Sequence, residues 1–236
     1  MSSATNQHDL LTRLRAEIRR IERRPARRAG GLPCGVAAVD ALLPGGFPCG
    51  ALSELRGGPA SGKTAVALSL VAGLGRRGPE GAGRPHGGAL AAWIDGRGEL
   101  YPPAAAAMGV DLSRLLIVRP PPDEEGARLA LWAAEVLLGS GAFAAVTIDA
   151  ALARPWRGIE ASLHRLVTAA EQGGAAGLWL SSPGAAVRPP ALVRLDLRVV
   201  GRRIVASHAA RSGGQEGAPR SAGSSPAPRA GGVHAA

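Results

Sequence analysis

Short runs of apolar residues alternate along this chain with longer segments whose apolar residues recur at helical spacing. The short runs are bounded by Gly, Pro or Asp, which is typical of buried strands. They predict strands over residues 51–55, 89–94, 115–118, 144–148 and 177–180. The longer segments predict helices over residues 35–43, 64–74, 103–108, 124–138 and 159–172.

This alternation of predicted strands and helices indicates βαβ units. Such units form a mainly parallel sheet with helices on both faces, and their strands are continuously apolar because both faces are buried. Residues 192–199 and 203–207 predict two further strands around a Gly201-Arg202 turn, as in an antiparallel edge hairpin. The predicted fold class is therefore α/β.

The two ends of the chain differ from its middle. Residues 8–24 place Leu and Ile at helical spacing among Arg residues, which predicts a basic amphipathic helix that ends at Pro25. Such a helix either binds DNA or a partner protein, or packs on the domain as a solvated helix. Residues 209–236 offer little to bury and indicate a disordered basic tail. We therefore divide the chain into a helix and linker (1–31), a globular domain (32–208) and the tail (209–236).

The chain is strongly basic, with a formal net charge of +10 at pH 7. A basic chain favours polyanionic partners, usually nucleic acid. Its Arg residues are spread along the whole length, so a biased amino-acid composition explains the charge equally well. The polar N-terminus lacks an apolar signal segment, and no apolar run reaches ~18 residues. We therefore expect a cytoplasmic protein without a membrane span.

Cys34 and Cys49 are the chain's two cysteines. They do not complete a zinc site unaided, because structural zinc takes four protein ligands. A disulfide and two small buried apolar side chains remain as alternative interpretations.

A glycine-rich segment between the first predicted strand and the next long helix carries the clearest chemical signal. It matches G-x-x-x-x-G-K-[ST] at every fixed position, in the strand–loop–helix context that this motif requires. Its glycines let backbone N–H groups turn towards phosphate oxygens, and the following helix adds its positive dipole end. The candidate phosphate-binding residues are Gly57, Gly58, Pro59, Ala60, Ser61, Gly62, Lys63 and Thr64.

The distribution of basic residues singles out Lys63. The chain contains 27 Arg and a single Lys, and that Lys lies in the glycine-rich loop. A slim ammonium fits a tight turn around phosphates where a planar guanidinium does not. We expect Lys63 to reach the β- and γ-phosphates of ATP and Thr64 to ligate Mg²⁺.

Three acidic residues follow predicted strands. Asp149 ends the fourth strand, and ligands of open α/β sheets bind at the carboxyl edge, so Asp149 is a candidate Mg²⁺ ligand. Asp95 ends the second strand, and it or Glu99 is a candidate catalytic residue that orients an attacking water. The alternative role for each is capping or solvation.

Several segments together resemble the core of RecA. Residues 32–50 (LPCGVAAVDALLPGGFPCG) and 58–64 (GPASGKT) resemble its opening, which runs from TG-x-x-x-LD through GG-x-P-x-G into GPESSGKT. Residues 93–95 (WID) and 108–116 (MGVDLSRLL) resemble its FID and LGVD-x-x-x-LL segments, and residues 195–198 (LDLR) resemble its RLDIR strand. The resemblance implies a RecA-like P-loop domain over 32–208 that binds ATP and Mg²⁺.

The chain also departs from this pattern. RecA has a catalytic Glu two residues after its Ile-Asp pair, where this chain has Arg97. An Asn-Gln pair that senses the γ-phosphate is replaced by Ser181-Ser182. The segments that match the two DNA-binding loops of RecA, residues 150–158 and 183–190, are short. These departures favour nucleotide binding over fast hydrolysis, with weak ATPase activity as an alternative, and they count against strand exchange.

A RecA core with short DNA loops is similar to the ImuA-type accessory proteins of bacterial damage-induced mutagenesis, although those often have a degenerate phosphate loop. The resemblance implies an accessory factor for translesion synthesis in the SOS response. It also implies single-stranded DNA, RecA or a Y-family polymerase as partners, and a homo-oligomer. The alternatives are a DNA-stimulated ATPase like a minimal RecA and a RecA-fold signalling ATPase outside DNA repair.

Overall fold

The computed structural model describes residues 30–76, 89–150, 152 and 154–209. The strands are β1 Gly31–Leu32, β2 Phe47–Pro48, β3 Ala51–Arg56, β4 Leu90–Asp95, β5 Leu115–Val118, β6 Phe143–Asp149, β7 Ala176–Ser181, β8 Val193–Val200 and β9 Arg203–His208. The helices are α1 Ala37–Asp40, α2 Lys63–Arg76, α3 Pro102–Ala107, α4 Glu124–Gly139 and α5 Ile159–Gly173, with a 3₁₀ turn at Leu112–Arg114.

Seven of these strands form one sheet in the order β5-β4-β6-β7-β3-β8-β9. All neighbouring strands are parallel except the terminal pair, β8 and β9, which form an antiparallel hairpin. The predicted α/β fold with an antiparallel edge hairpin is confirmed. Because β3, β7, β6 and β4 are adjacent and parallel, their carboxyl ends lie along one edge of the sheet.

Apolar side chains cover both faces of the sheet. On one face, Leu55 of β3 and Leu178 of β7 belong to a cluster with the apolar side of α2. On the other, Leu52 and Trp179 of the same two strands belong to a cluster with α4 and α5. Successive strand residues point to opposite faces, so strands buried on both sides are apolar throughout. This burial explains the continuous apolar runs in the sequence.

The structure differs from the predictions around residues 31–48. The predicted helix over 35–43 is restricted to α1, because the carboxylate of Asp40 accepts hydrogen bonds from the N–H groups of Cys34 (2.9 Å) and Gly35 (2.8 Å) and fixes a turn before the helix. The antiparallel pair of β1 and β2 was not predicted. Each of these strands has two residues, which is too short to show a periodic pattern.

Other predicted features fall partly or wholly outside the described residues. The amphipathic helix over 8–24 and the predicted tail from residue 210 onwards lie outside them, as do residues 77–88. Among the helices that are described, none combines the length and the apolarity needed to cross a membrane.

Cys34 is a small buried side chain, as one of the two alternatives predicts, whereas Cys49 is half-buried. Neither Cys34 nor Cys49 forms a disulfide, and Cys34 is buried in the apolar cluster beneath α2. Burial raises the pKa of the Cys34 thiol to about 12, and its contact with Asp40 adds to the shift. Cys34 therefore stays a neutral thiol and behaves as a small core side chain.

Candidate nucleotide-binding site

The phosphate-binding segment connects β3 to α2 at the carboxyl edge of the sheet. The N–H group of Gly57 donates to the carbonyl oxygen of Ser181 at the end of β7 (3.1 Å), which ties the loop to the neighbouring strand. Gly62 has a φ of +91° and Ala60 has a φ of +57°. Among the described residues, Ala60 is the only non-glycine residue with a positive φ. The backbone is therefore strained where the loop curls, as is common at functional sites.

The ammonium group of Lys63 folds back onto its own loop. Its Nζ donates to the carbonyl oxygens of Gly57 (2.6 Å) and Gly58 (3.0 Å). Burial lowers the pKa of Lys63 below its ordinary value, and the charge of Arg97 lowers it further, while Asp149 and Glu99 oppose the shift. Lys63 therefore shares one electrostatic environment with these three residues, which lie in the loop after β4 and at the end of β6.

The two predicted magnesium ligands stand at the start of α2 and at the end of β6. Thr64 is exposed, and Asp149 ends a strand that is otherwise buried over residues 144–148. Their hydroxyl and carboxylate oxygens are the donors that Mg²⁺ prefers, and Mg²⁺ usually keeps several waters beside one or two protein ligands. Burial raises the pKa of Asp149 above its ordinary value, although Arg97 opposes the shift. The donor chemistry fits a magnesium ion that arrives with a nucleotide.

Arg97 is a functional candidate whose contact the sequence did not reveal. The sequence placed it where RecA has a catalytic Glu, but its partner in the fold is Asp149. Nε of Arg97 donates to Oδ1 of Asp149 (3.1 Å), and the two side chains are 38% and 14% exposed. β4 and β6 are neighbours, and Asp95 is paired with Asp149 at their ends. Arg97 is two residues beyond Asp95, so its side chain reaches the end of β6. A predicted strand order would have shown this proximity.

Asp95 lies at the predicted edge, but its carboxylate is fully engaged with its own loop. Oδ1 accepts from the N–H of Glu99 (3.0 Å), and both oxygens accept from the N–H of Leu100 (3.3 Å each). Nε of Arg119 donates to Oδ2 (2.8 Å), and the Asp95 side chain has no exposed surface. These contacts are those of a capping residue, which was the alternative role for Asp95. The catalytic role of Asp95 stays a prediction.

Glu99 is the more accessible of the two candidate catalytic acids. Its side chain is exposed and lines a cavity of about 280 Å³ between the β4 loop and the start of α4, together with Arg97 and Pro120–Asp123. Arg97 lines this cavity and also a second one, of about 310 Å³, beside Ser182 and Val187. Arg97 therefore lies between both openings at this edge, whereas Glu99 borders one of them.

The Ser181-Ser182 pair is tied to a buried carboxylate. The hydroxyl of Ser181 donates to Oε1 of Glu54 (2.7 Å), and Nε of Arg194 lies 3.3 Å from Oε2 of the same side chain. Glu54 is 3% exposed, so this network compensates a buried charge in the middle of the sheet. The hydroxyl of Ser181 is thus committed to the sheet, and both serines border the second cavity.

Comparison with known proteins identifies relatives of this amino-acid sequence. The family model for the RecA N-terminal domain matches residues 15–170. Protein RecA of Lactobacillus delbrueckii subsp. bulgaricus is 37% identical over 123 residues, which are 52% of this chain and 33% of that protein. Protein RecA of Salinispora tropica is 36% identical over 140 residues, which are 59% of this chain and 36% of that protein. The chain thus spans about a third of the length of the curated relatives it matches.

Proposed function

Because this chain belongs to the RecA family, we propose that it is an ATP-binding accessory protein of the DNA-damage (SOS) response, of the ImuA type. It assists translesion synthesis by binding DNA, RecA or a Y-family polymerase in a nucleotide-dependent manner. Its hydrolysis of ATP is slow. The observation that carries this proposal is the ion pair between Arg97 and Asp149 beside a complete phosphate-binding loop.

Nucleotide binding is supported by the loop between β3 and α2. Residues 57–64 present curled backbone and the start of a 14-residue helix, whose N–H groups and positive dipole end attract phosphate. Lys63 exchanges its carbonyl contacts with Gly57 and Gly58 for phosphate oxygens when ATP binds. The bound magnesium ion supplies a divalent charge at the phosphates, and Thr64 and Asp149 would hold it.

Slow hydrolysis is supported by the groups that surround Asp149. The position that would orient an attacking water carries the cation Arg97, which does not accept a proton. Asp95 is enclosed by its own loop and Arg119. Glu99 is the one exposed carboxylate of the described β4 loop, residues 96–100. The site therefore binds a nucleotide more readily than it activates water.

Interaction with DNA is supported by the Arg residues of the two shortened loops. Arg154 and Arg157 lie in the connection from β6 to α5, and Arg188 lies in the connection from β7 to β8. All three are exposed, and both connections begin at the carboxyl edge of the sheet. Such residues contact phosphates without reading sequence, so we expect DNA binding to weaken steeply with salt.

A protein partner is supported by an exposed apolar stripe on α4. Leu129, Trp132 and Val136 recur at helical spacing and are 42%, 63% and 49% exposed. A large exposed aromatic beside aliphatic neighbours is typical of an interaction surface. The other face of α4 packs on the sheet and α5, so the stripe faces away from the core.

ATP turnover separates the proposed accessory role from its main alternative. We expect ATP to bind in the presence of Mg²⁺ and to be hydrolysed slowly, with no acceleration by single-stranded DNA. The exposed carboxylate of Glu99 supports the alternative, a DNA-stimulated ATPase. A strong increase in turnover on adding single-stranded DNA would establish that alternative, and Glu99→Gln should then abolish the increase.

Capture of RecA or a Y-family polymerase by the immobilised full chain tests the partner surface. Trp132→Glu should lower capture at least about tenfold, because it would bury a charge without a partner in the centre of an apolar contact. Leu192→Glu is the matched control, since Leu192 is 68% exposed and lies before β8 rather than on α4. If both variants capture the partner equally well, the partner does not bind at α4.

A further inference from the structure

The backbone beneath Arg97 is held in place by contacts from three strands. The N–H of Gly96 donates to the carbonyl oxygen of Asp149 (2.9 Å), which joins the ends of β4 and β6. Asp95 fixes the far end of the loop through the N–H groups of Glu99 and Leu100. Arg119, which follows β5, donates to the carbonyl oxygen of Leu100 (2.7 Å). The position of Arg97 is therefore built into the fold.

The side chain of Arg97 is less constrained than its backbone. In the described part of the chain, its one hydrogen bond is the donation from Nε to Asp149. Its side chain is 38% exposed, and Arg97 borders both cavities at the sheet edge. Asp149 is mostly buried, so it needs a positive partner near it. Arg97 can thus neutralise Asp149 or swing towards a ligand without moving the loop.

The charges around the phosphate-binding loop balance because of Arg97. Lys63 and Arg97 contribute two positive charges, and Asp149 and Glu99 contribute two negative ones. With a carboxylate at position 97, the same four positions would carry a net charge of minus two and would repel a triphosphate. Such a site would depend on a divalent cation to accept ATP, whereas the site of this chain is already neutral.

We propose that Arg97 determines how strongly nucleotide binding depends on magnesium, by occupying Asp149 as an internal counter-charge. This inference rests on the proposed nucleotide binding. Without a divalent cation, Arg97 neutralises Asp149 and adds positive charge near the phosphates, so ATP binds to the metal-free site. The guanidinium would compete with a magnesium ion for the carboxylate of Asp149, which would offset part of the contribution of the ion. Arg97 therefore determines how strongly the site prefers ATP with bound magnesium over metal-free ATP.

The test compares the dissociation constants of fluorescently labelled ATP in excess EDTA and in excess MgCl₂. Arg97→Ala should weaken binding in EDTA and leave binding in MgCl₂ unchanged or tighter. The ratio of the two constants should therefore rise at least about tenfold over the unsubstituted protein, which corresponds to about 1.4 kcal/mol. Arg97→Lys keeps the charge and should retain the original ratio. Arg165→Ala, which removes an exposed ion pair with Glu135 between α5 and α4, is the control for removing one Arg.

The possible failures of this experiment are distinguishable. If the unsubstituted protein binds ATP in neither condition, the proposed nucleotide site is wrong and this inference fails with it. If it binds ATP and Arg97→Ala leaves the ratio unchanged, nucleotide binding stands and the inference is overturned. A ratio for Arg97→Lys equal to that of Arg97→Ala would overturn the electrostatic explanation.

Discussion

Replacing Lys63 by alanine is expected to weaken ATP binding at least about a hundredfold, which corresponds to about 2.7 kcal/mol. This value is in the range of a charge-assisted hydrogen bond at a partly enclosed site. Lys63 is the chain's single Lys, and its Nζ lies within the loop at 2.6 Å and 3.0 Å from two carbonyl oxygens. Titration of labelled ATP in the presence of Mg²⁺ measures the loss.

Two further variants decide why Lys63 is needed. Lys63→Arg keeps the positive charge but replaces a compact ammonium with a planar fork, so we expect it to bind ATP as poorly as Lys63→Ala. Arg165→Ala removes a positive charge from the exposed face of α5 and should bind ATP normally. Unaltered ATP affinity in Lys63→Ala would show that the phosphate site has been assigned to the wrong loop.

Lys63→Ala should not destabilise the folded protein. Burial lowers the pKa of Lys63 in the folded state, so the unfolded state binds its proton more tightly. Stability due to this group therefore rises as the pH increases through the window between the lowered pKa and its ordinary value. Below this window the group is protonated in both states, so burial of its charge offsets part of what its hydrogen bonds contribute. We therefore expect the alanine variant to unfold at a temperature close to that of the unsubstituted protein.

The sequence predicted the sheet well because its strands are buried on both faces. Continuous apolar runs located β3 to β7, and the Gly201-Arg202 turn located the hairpin of β8 and β9. It did not predict the order of the strands, because that order depends on which apolar faces meet in three dimensions. The pair of β1 and β2 was missed for a different reason: four residues in two short strands carry no period.

The candidate site was predictable where its signal is local. The loop over residues 57–64 is a contiguous motif, so its residue types and flanking elements could be read directly. The pair of Arg97 and Asp149 joins positions 52 residues apart in the sequence and depends on β4 lying beside β6. The sequence identified Arg97 as a departure from the RecA pattern, but the geometry was needed to show which group it meets.

Gly57→Ala is expected to destabilise the protein by about 3 kcal/mol, because the loop has no space for a methyl group at this position. An added Cβ would clash with Oγ of Ser61 and would lie 2.6 Å from Cβ of Ser61 and from the carbonyl oxygen of Leu197. The Ser61 hydroxyl can rotate away, but the carbonyl belongs to the backbone of β8 and cannot. Thermal unfolding should show a fall of roughly 6–12 °C for a domain of this size.

Gly58→Ala is the matched control for this prediction, because it adds the same methyl group one residue further on. A Cβ at Gly58 would meet nothing within 4 Å, and Gly58 is not among the glycines with a positive φ. Its effect on stability should stay within about 0.5 kcal/mol. The phosphate-binding motif leaves this position variable, so Gly58→Ala should also bind ATP normally, whereas Gly57→Ala should not. Equal stability and ATP affinity in the two variants would mean that the loop does not pack against β8 as the structure shows, and that its curled backbone does not form the phosphate site.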